Sequence, residues 1–307
     1  MSYEKIVLVT RKTRLDGLLE RFNTKEQARF YLEHAGQDFS DVEREHERYR
    51  AALDAVRAAI DLKSLQQQVI SRDLLSTYQF GKDLVLTLGG NGLVANTAKY
   101  VGPRPIVAIN PDLGRYDAIL VPFAVEQTRS VVLRALADAA PIREVTLAEA
   151  ELSDGQRMLA FNDLFIGARS HVSARYRLRF GDTTEAQSSS GVIVSTGAGS
   201  SGWMTSVFNM AAGMSRFSGG VAGTAVRLGW DDPRLMFAVR EPFSSRRWSA
   251  GVVAGVLEPG QDLQLESLMS TEGVIFSDGI ESDYLAFGSG TSATIHAAPQ
   301  RARLVWS

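Results

Sequence analysis

The sequence predicts two domains, an α/β N-terminal domain with a parallel sheet and a β-rich C-terminal domain. Up to about residue 120, short β-branched apolar runs alternate with helical periodicity, the pattern of a parallel sheet with crossover helices. From Thr146 onward the texture becomes short alternating runs broken by Gly, Asp and Pro, as in a mostly β domain. The length of 307 residues also lies past the point where single cores stop growing and chains divide.

The elements follow in chain order. Ile6–Thr10 reads as a buried strand, and Arg11 to about Ser40 as a long polar stretch with scattered apolar positions. In Asp41–Leu65 the residues Val42, Tyr49, Ala52, Leu53, Val56 and Ile60 recur at helical spacing, with the charges of Glu43–Arg48 on a solvated face. Val69–Tyr78 reads as the start of another helix. Lys82–Leu88 is a strand that runs into Gly89-Gly90-Asn91-Gly92, followed by a helix over Leu93–Tyr100 and a strand over Pro105–Asn110. The active edge of such a sheet lies at the carboxyl ends of its strands. Thr128–Ala139 is one more helix. Strands are then expected at Arg157–Phe161, Asn162–Gly167, Tyr176–Phe180, Val192–Ser195, Leu235–Val239, Gly251–Leu257, Leu263–Ser267 and Thr291–Ala297, with one helix at Met204–Met214. The domains are placed at residues 1–135 and 136–298.

Composition excludes several chemistries. Lys+Arg total 33 and Asp+Glu 35, a net charge of −2, so no global field grips nucleic acid and no nucleic-acid partner is expected, a local patch remaining open. With no cysteine there are no disulfides, thiolate nucleophiles, or cysteine-ligated zinc or iron–sulfur centres. The start, Met1-Ser2-Tyr3-Glu4-Lys5 and then Ile6–Val9, is too short for a secretory h-region, and no run approaches 18 apolar residues. A cytoplasmic protein with no membrane contact is the expectation.

Four constellations carry the chemistry. Gly89-Gly90-Asn91-Gly92 follows a strand and opens a helix, where glycine lets a phosphate approach backbone N–H groups at a helix N-terminus. It is neither GxGxxG nor GxxxxGK[ST], and a plain strand–helix turn is the alternative. Ser195-Thr196-Gly197-Ala198-Gly199-Ser200-Ser201-Gly202-Trp203 has the hydroxyls and glycines of an anion or nucleotide nest; a flexible serine-rich turn is the alternative. Asn162-Asp163 puts an amide and a carboxylate inside an apolar run, suited to ribose hydroxyls or a carboxamide, or else a solvent-facing pair at a bulge. Phe276–Asp283 carries Asp278, Glu281 and Asp283, of which Asp278 is assigned to function and the other two equally to a surface turn. His34, His46, His171 and His296 show no HExxH spacing and are assigned no metal, and GxSxG is absent.

These constellations resemble, in order, the motifs of the NAD kinase family: a GGDGT turn, an Asn-Glu pair, a TPTGSTAY-like segment and a late Asp-Gly. Here they stand as Gly89-Gly90-Asn91-Gly92-Leu93, Asn162-Asp163, Thr196–Trp203 and Asp278-Gly279. The mitochondrial-type branch is the most similar, through Ile6–Arg14 and Val107–Arg115.

The resemblance implies an NAD kinase-like two-domain fold. It has an α/β nucleotide-binding domain, a β-rich substrate-binding domain, and a tail at 299–307 that returns to the first domain. It implies transfer of a phosphoryl group from ATP, or polyphosphate, to the 2′-hydroxyl of the adenosine ribose of NAD. That reaction serves NADP biosynthesis, with Mg²⁺ or another divalent cation assisting. Self-association as a dimer or tetramer is implied too. Position by position, Asn91 stands in the catalytic place of the family's aspartate. Gly89, Gly90, Gly92, Asn162, Asp163, Thr196, Gly199, Ser200, Ser201, Trp203 and Asp278 would bind nucleotide; no residue is assigned to metal.

The departures sit at the chemistry. Asn91 cannot accept a proton and is a weak magnesium ligand, Leu93 replaces a hydroxyl residue, and Asp163 is a methylene shorter than glutamate. Phosphoryl transfer relies mostly on position and charge, so a kinase remains the leading reading. The alternatives are a catalytically reduced nucleotide-binding or regulatory protein of the same fold, and a kinase for another hydroxyl acceptor.

Overall fold

The structure is a computed structural model that describes residues 3–115 and 118–307; Met1, Ser2, Tyr116 and Asp117 lie outside the described residues. The chain divides into two compact units, Met1–Arg143 with Arg303–Ser307, and Glu144–Ala302.

The first unit is built on parallel strands: β1 (Lys5–Thr10), β2 (Gln66–Ser71), β3 (Asp83–Leu88), β4 (Pro105–Asn110) and the short β5 (Phe123–Ala124). Their order is β4-β3-β1-β2, with β5 beside the end of β4. Arg303 and Leu304, at the end of the chain's last strand, pair in parallel with the start of β4. Every residue of β3 and β4 is buried, as in a parallel sheet covered on both faces. The connection from β1 leads to β2 on one side and that from β3 to β4 on the other. The switch point of this α/β sheet therefore lies between β1 and β3, where such sheets bind ligands beyond their carboxyl ends.

The helices correct the sequence reading in several places. The polar stretch Arg11–Ser40 holds α1 (Arg14–Phe22) and α2 (Lys25–His34), and α3 runs over Phe39–Ala59 rather than Asp41–Leu65. Their starts were written in caps: Thr13 forms a capping box with Asp16, Thr24 accepts from the Gln27 N–H, and Asp38 from the Ser40 N–H. Leu15, Ala28, Leu32, Phe39 and Val42 bury one another in a small satellite core. Its apolar residues are too few per helix for periodicity to stand out. Val69–Tyr78 is not a helix. Its first residues are the end of β2, paired along β1, and only Arg72–Leu74 makes a single 3₁₀ turn. An open sheet edge won over local propensity. α4 (Asn91–Ala98) starts two residues before the expected Leu93, so the glycine turn forms its first turn, and α5 spans Thr128–Leu136.

The second unit is mainly β, as predicted. Its strands are β6 (Ile142–Leu152), β7 (Arg157–Ala160), β8 (Asp163–Ala168), β9 (Ala174–Phe180), β10 (Thr183–Ser189) and β11 (Val192–Ser195). After α6 (Trp203–Phe217) come β12 (Leu235–Val239), β13 (Ala254–Leu257), β14 (Leu263–Ser267), β15 (Gly273–Ser277), β16 (Tyr284–Ala286) and β17 (Ser292–Val305). An antiparallel sheet β13-β12-β11-β8-β15-β16 packs against the ladder β10-β9-β14-β17. Leu164, Ile166, Val194, Phe237 and Ile275 from the former meet Tyr176, Leu178, Leu263 and Ile295 from the latter in one core. The opposite face of the six-stranded sheet shows Ile193, Met236 and Ala238 to α6, which packs on it through Trp203, Met204, Val207 and Phe208. The polar β10 was unreadable as a strand; seven consecutive pairings with β9 hold it. No helix among the described residues is long and apolar enough to cross a membrane.

Candidate functional site

In the first unit, the carboxyl ends of β1 and β3 meet at the switch point. Gly89 follows β3, and Gly90 caps α4 in an extended conformation with no side chain to satisfy the helix N-terminus. A Cβ on Gly90 or Gly92 would meet nothing, so both leave room for a ligand at the backbone, whereas one on Gly89 would press on the Leu93 side chain at 2.9 Å. The Asn91 side chain is already engaged: its Oδ1 accepts the Leu120 N–H at 2.9 Å. Because that donor identifies the oxygen, the group left to meet a ligand is the NH₂, a donor. Arg11, just beyond β1, donates to Glu45 at 2.7 Å, and its N–H donates to Tyr49 Oη at 3.0 Å. The Tyr49 hydroxyl donates in turn to the Leu88 carbonyl at 3.1 Å, tying α3 to both strand ends. The turn is thus rich in donors and suits an anion.

In the second unit, strand register sets three polar segments on one sheet edge. Ser195, the last residue of β11, pairs with Asp163, the first of β8, and Ser277, the last of β15, pairs with Leu164. Segments 161–163, 195–203 and 277–279 therefore adjoin. Asp278 turns back in the left-handed region at φ 54°. Its Oδ2 accepts the Phe161 N–H at 3.0 Å, its Oδ1 accepts the Asn162 N–H at 2.6 Å, and its own N–H donates to the Asp163 carbonyl at 3.0 Å. Thr196 closes the other side: its N–H donates to the Asn162 carbonyl at 2.9 Å and its hydroxyl to the Phe161 carbonyl at 2.6 Å. Gly199 N–H donates to Thr196 Oγ1, and Ser200 Oγ donates to the Gly197 carbonyl at 2.7 Å.

Asp163 is the exception in this network. It is 8% exposed, and its carboxylate has no hydrogen-bond partner among the described residues. Burial first, and then the negative charge of Asp278, push its pKa up to about 7. On the same face of β8, Phe165 stacks on Trp203 with ring centres 5.8 Å apart and also packs on Phe276 at 4.8 Å. The Arg240 guanidinium lies 5.4 Å from the Trp203 ring centre.

No protein-family profile matches the chain, and no curated protein matches it in sequence. Solved structures do. The crystal structure of yeast NADH kinase complexed with NADH is similar with a TM-score of 0.57 at 16% identity, over 100% of this chain and 84% of that one. An NAD kinase from Archaeoglobus fulgidus in complex with ATP is similar with a TM-score of 0.52 at 15% identity, over 98% and 93%. The fold is NAD kinase-like.

Within this NAD kinase-like fold, the residues singled out in the sequence fall into two sets, each in its own unit. Gly89, Gly90, Asn91 and Gly92 share the turn of the first; Asn162, Asp163, Thr196, Gly199, Ser200, Ser201, Trp203 and Asp278 share the sheet edge of the second. They differ in what they have left to offer. Thr196, Ser200 and Asp278 are spent on the backbone, while Asn162 and Asp163 keep their polar atoms and Ser201 is exposed. Sequence reasoning missed Phe165, Phe276 and Arg240. The alternation Asp163–Phe165–Gly167 was the available signal, since it puts the aromatic on the carboxylate's face.

The side chains do not fit a resident magnesium ion at the glycine turn, where Asn91 offers only a neutral amide oxygen already bound to Leu120 N–H. No group of three His, Asp or Glu residues among the described residues could hold one elsewhere.

Proposed function

We propose that the protein is a phosphotransferase of the NAD kinase type, moving a phosphoryl group from ATP or polyphosphate to the 2′-hydroxyl of the adenosine ribose of NAD. The observation that carries this reading is Asp163, a buried carboxylate without a donor at a polar edge walled by Trp203 and Phe165. A group left in that state calls for hydroxyl or N–H donors from a ligand, and a ribose beside a flat base supplies both. The NAD kinase-like fold and the order of the four motifs support the same reading.

In this reading the second unit binds the dinucleotide, with Asn162 and Asp163 on ribose hydroxyls and Trp203 against a ring. The first unit binds the donor's phosphates on the N–H groups of Gly90 to Gly92 and the Asn91 NH₂. The divalent ion arrives as the magnesium complex of the nucleoside triphosphate, held by its phosphates. A homo-oligomer working in the cytoplasm is part of the proposal.

A second reading is favoured by one observation, the amide at position 91: a nucleotide-binding protein of the same fold with reduced turnover. Calorimetry with NAD and NADP, paired with steady-state NADP formation from ATP and from polyphosphate, separates the two. Binding without product supports the second reading; absence of binding at millimolar dinucleotide sinks both.

The Asn91→Asp protein sharpens the comparison. A carboxylate still accepts the Leu120 N–H, so the turn stays in place, while its second oxygen would offer the magnesium ion of the nucleoside triphosphate a charged ligand that the amide lacks. We expect kcat to rise about tenfold, worth about 1.4 kcal/mol, with the NAD dissociation constant changing less. Loss of a robust native rate on this exchange would mean that the donor amide itself is needed.

A further inference from the structure

We infer that Asp163 is the group that takes the proton from the acceptor hydroxyl during phosphoryl transfer, and that Asp278 is the positioning residue that holds it in place. The assignment rests on the phosphotransferase reading above.

Two carboxylates meet at the sheet edge, and their surroundings make them unequal. Asp278 accepts two backbone N–H groups, a setting that favours its charged form, and its own N–H fixes the Asp163 carbonyl. It is held by the backbone of the neighbouring segment. Asp163 has neither donor nor cation to stabilise its charge. Its strand neighbour Ser195 directs its hydroxyl to the Thr196 carbonyl at 3.1 Å instead. On the flanking elements, Ile193, Ser195 and Thr196 of β11 and its following loop, Trp203 of α6, and Phe276 and Ser277 of β15 are not ionised near neutrality. Among the described residues, Asp278 is the one charged group acting on Asp163. When environments drive a pair of acids apart in this way, the roles are assigned: the buried, unpartnered member exchanges the proton. A proton acceptor is most effective when its pKa lies near the working pH, and Asp163 lies at about 7.

Asn91 cannot play this part. An amide cannot take a proton, and the Asn91 oxygen is held by Leu120 N–H.

The step balances with ATP as co-reactant. The hydroxyl proton passes to a carboxylate oxygen of Asp163, and the electron pair of the hydroxyl oxygen forms a bond to the γ-phosphorus. The bond from that phosphorus to the β,γ-bridging oxygen breaks, its pair leaving on ADP. Asp163 then releases the proton to water.

The test is NADP formation from Mg-ATP and NAD by the native, Asp163→Asn, Asp163→Glu and Asn91→Asp proteins over about pH 5 to 9, with NAD binding measured by calorimetry at each pH. The native kcat is expected to fall on the acid side with an apparent pKa near 7. The Asp163→Asn protein is expected to bind NAD within about tenfold of native, to lose about 10²–10⁴-fold in kcat, and to lose the acid limb. The glutamate variant should recover part of the rate and an acid limb, and Asn91→Asp should keep the limb whatever its rate. An Asp163→Asn protein with near-native kcat and the limb in place, or one that loses only NAD affinity, overturns the assignment and leaves the phosphotransferase standing. A native protein that binds NAD but forms no product from ATP or polyphosphate at any pH removes the reaction and this assignment together.

Discussion

At about pH 8 the Asp163→Asn protein is expected to be more stable than the native chain, by about 1–3 kcal/mol. The sign follows from proton binding. The Asp163 carboxyl has a model value of 3.8 and is raised to about 7 by burial and by Asp278. Below the lower value both folded and unfolded chains hold the proton, and the group costs nothing by this route. As pH rises between the two values the unfolded chain ionises while the folded one resists, so stability falls, and it levels off above about 7. A shift of this size is worth about 1.4 kcal/mol per unit. The asparagine amide must itself be buried without a partner, which takes back about 1–3 kcal/mol of that.

Urea unfolding followed by tryptophan fluorescence reads this directly, because Trp203, Trp230 and Trp248 all lie in the second unit. The gap between native and variant should widen from about pH 4 to 7 and then hold constant. A gap that ignores pH would mean that Asp163 is not strained in the fold. A carboxyl that weakens its own domain is the kind of residue retained for what it does to a ligand.

The second large effect is expected at Gly197. A Cβ there would overlap the Gly229 carbonyl oxygen, and one at Gly199 would overlap the Asn162 carbonyl. Neither is a flexible side-chain end; each is a backbone atom held in place. Gly197 also accepts the Ser200 hydroxyl, and Asn162 is gripped from both sides by Asp278 and Thr196. Gly197→Ala should therefore cost about 3 kcal/mol or more and, on the phosphotransferase reading proposed above, abolish NAD binding, since the loop that shapes the sheet edge must move. Gly213→Ala is the control. It lies in α6 with open space around its Cα, and should gain up to about 1 kcal/mol from helix propensity alone. Equal effects at the two positions would show that the loss at Gly197 is not caused by the close backbone approach.

Much of this was written locally. The apolar runs of β3 and β4 specify buried parallel strands, because their nearly continuous hydrophobicity suits no half-exposed element. The glycine turn after β3 is legible as a break between a strand and a helix, and Thr13 and Thr24 mark the starts of α1 and α2 as N-cap residues. By contrast, β2 and β10 exist because neighbouring strands offer them partners, and no window of their own sequence contains that information.

The site divides in the same way. Composition and order marked Asn162-Asp163, Thr196–Trp203 and Asp278 as unusual polar segments. Only the register of β8 with β11 and β15 makes them neighbours, across separations of 33 residues and more. Only the tertiary structure turns Asp278 onto the 161–162 amides and leaves Asp163 without a donor. A side chain's type is a property of the chain, but its hydrogen-bond partners and its desolvation are properties of what surrounds it. That is why two aspartates alike in sequence end as one held by backbone N–H groups and one buried carboxyl pushed up to about 7.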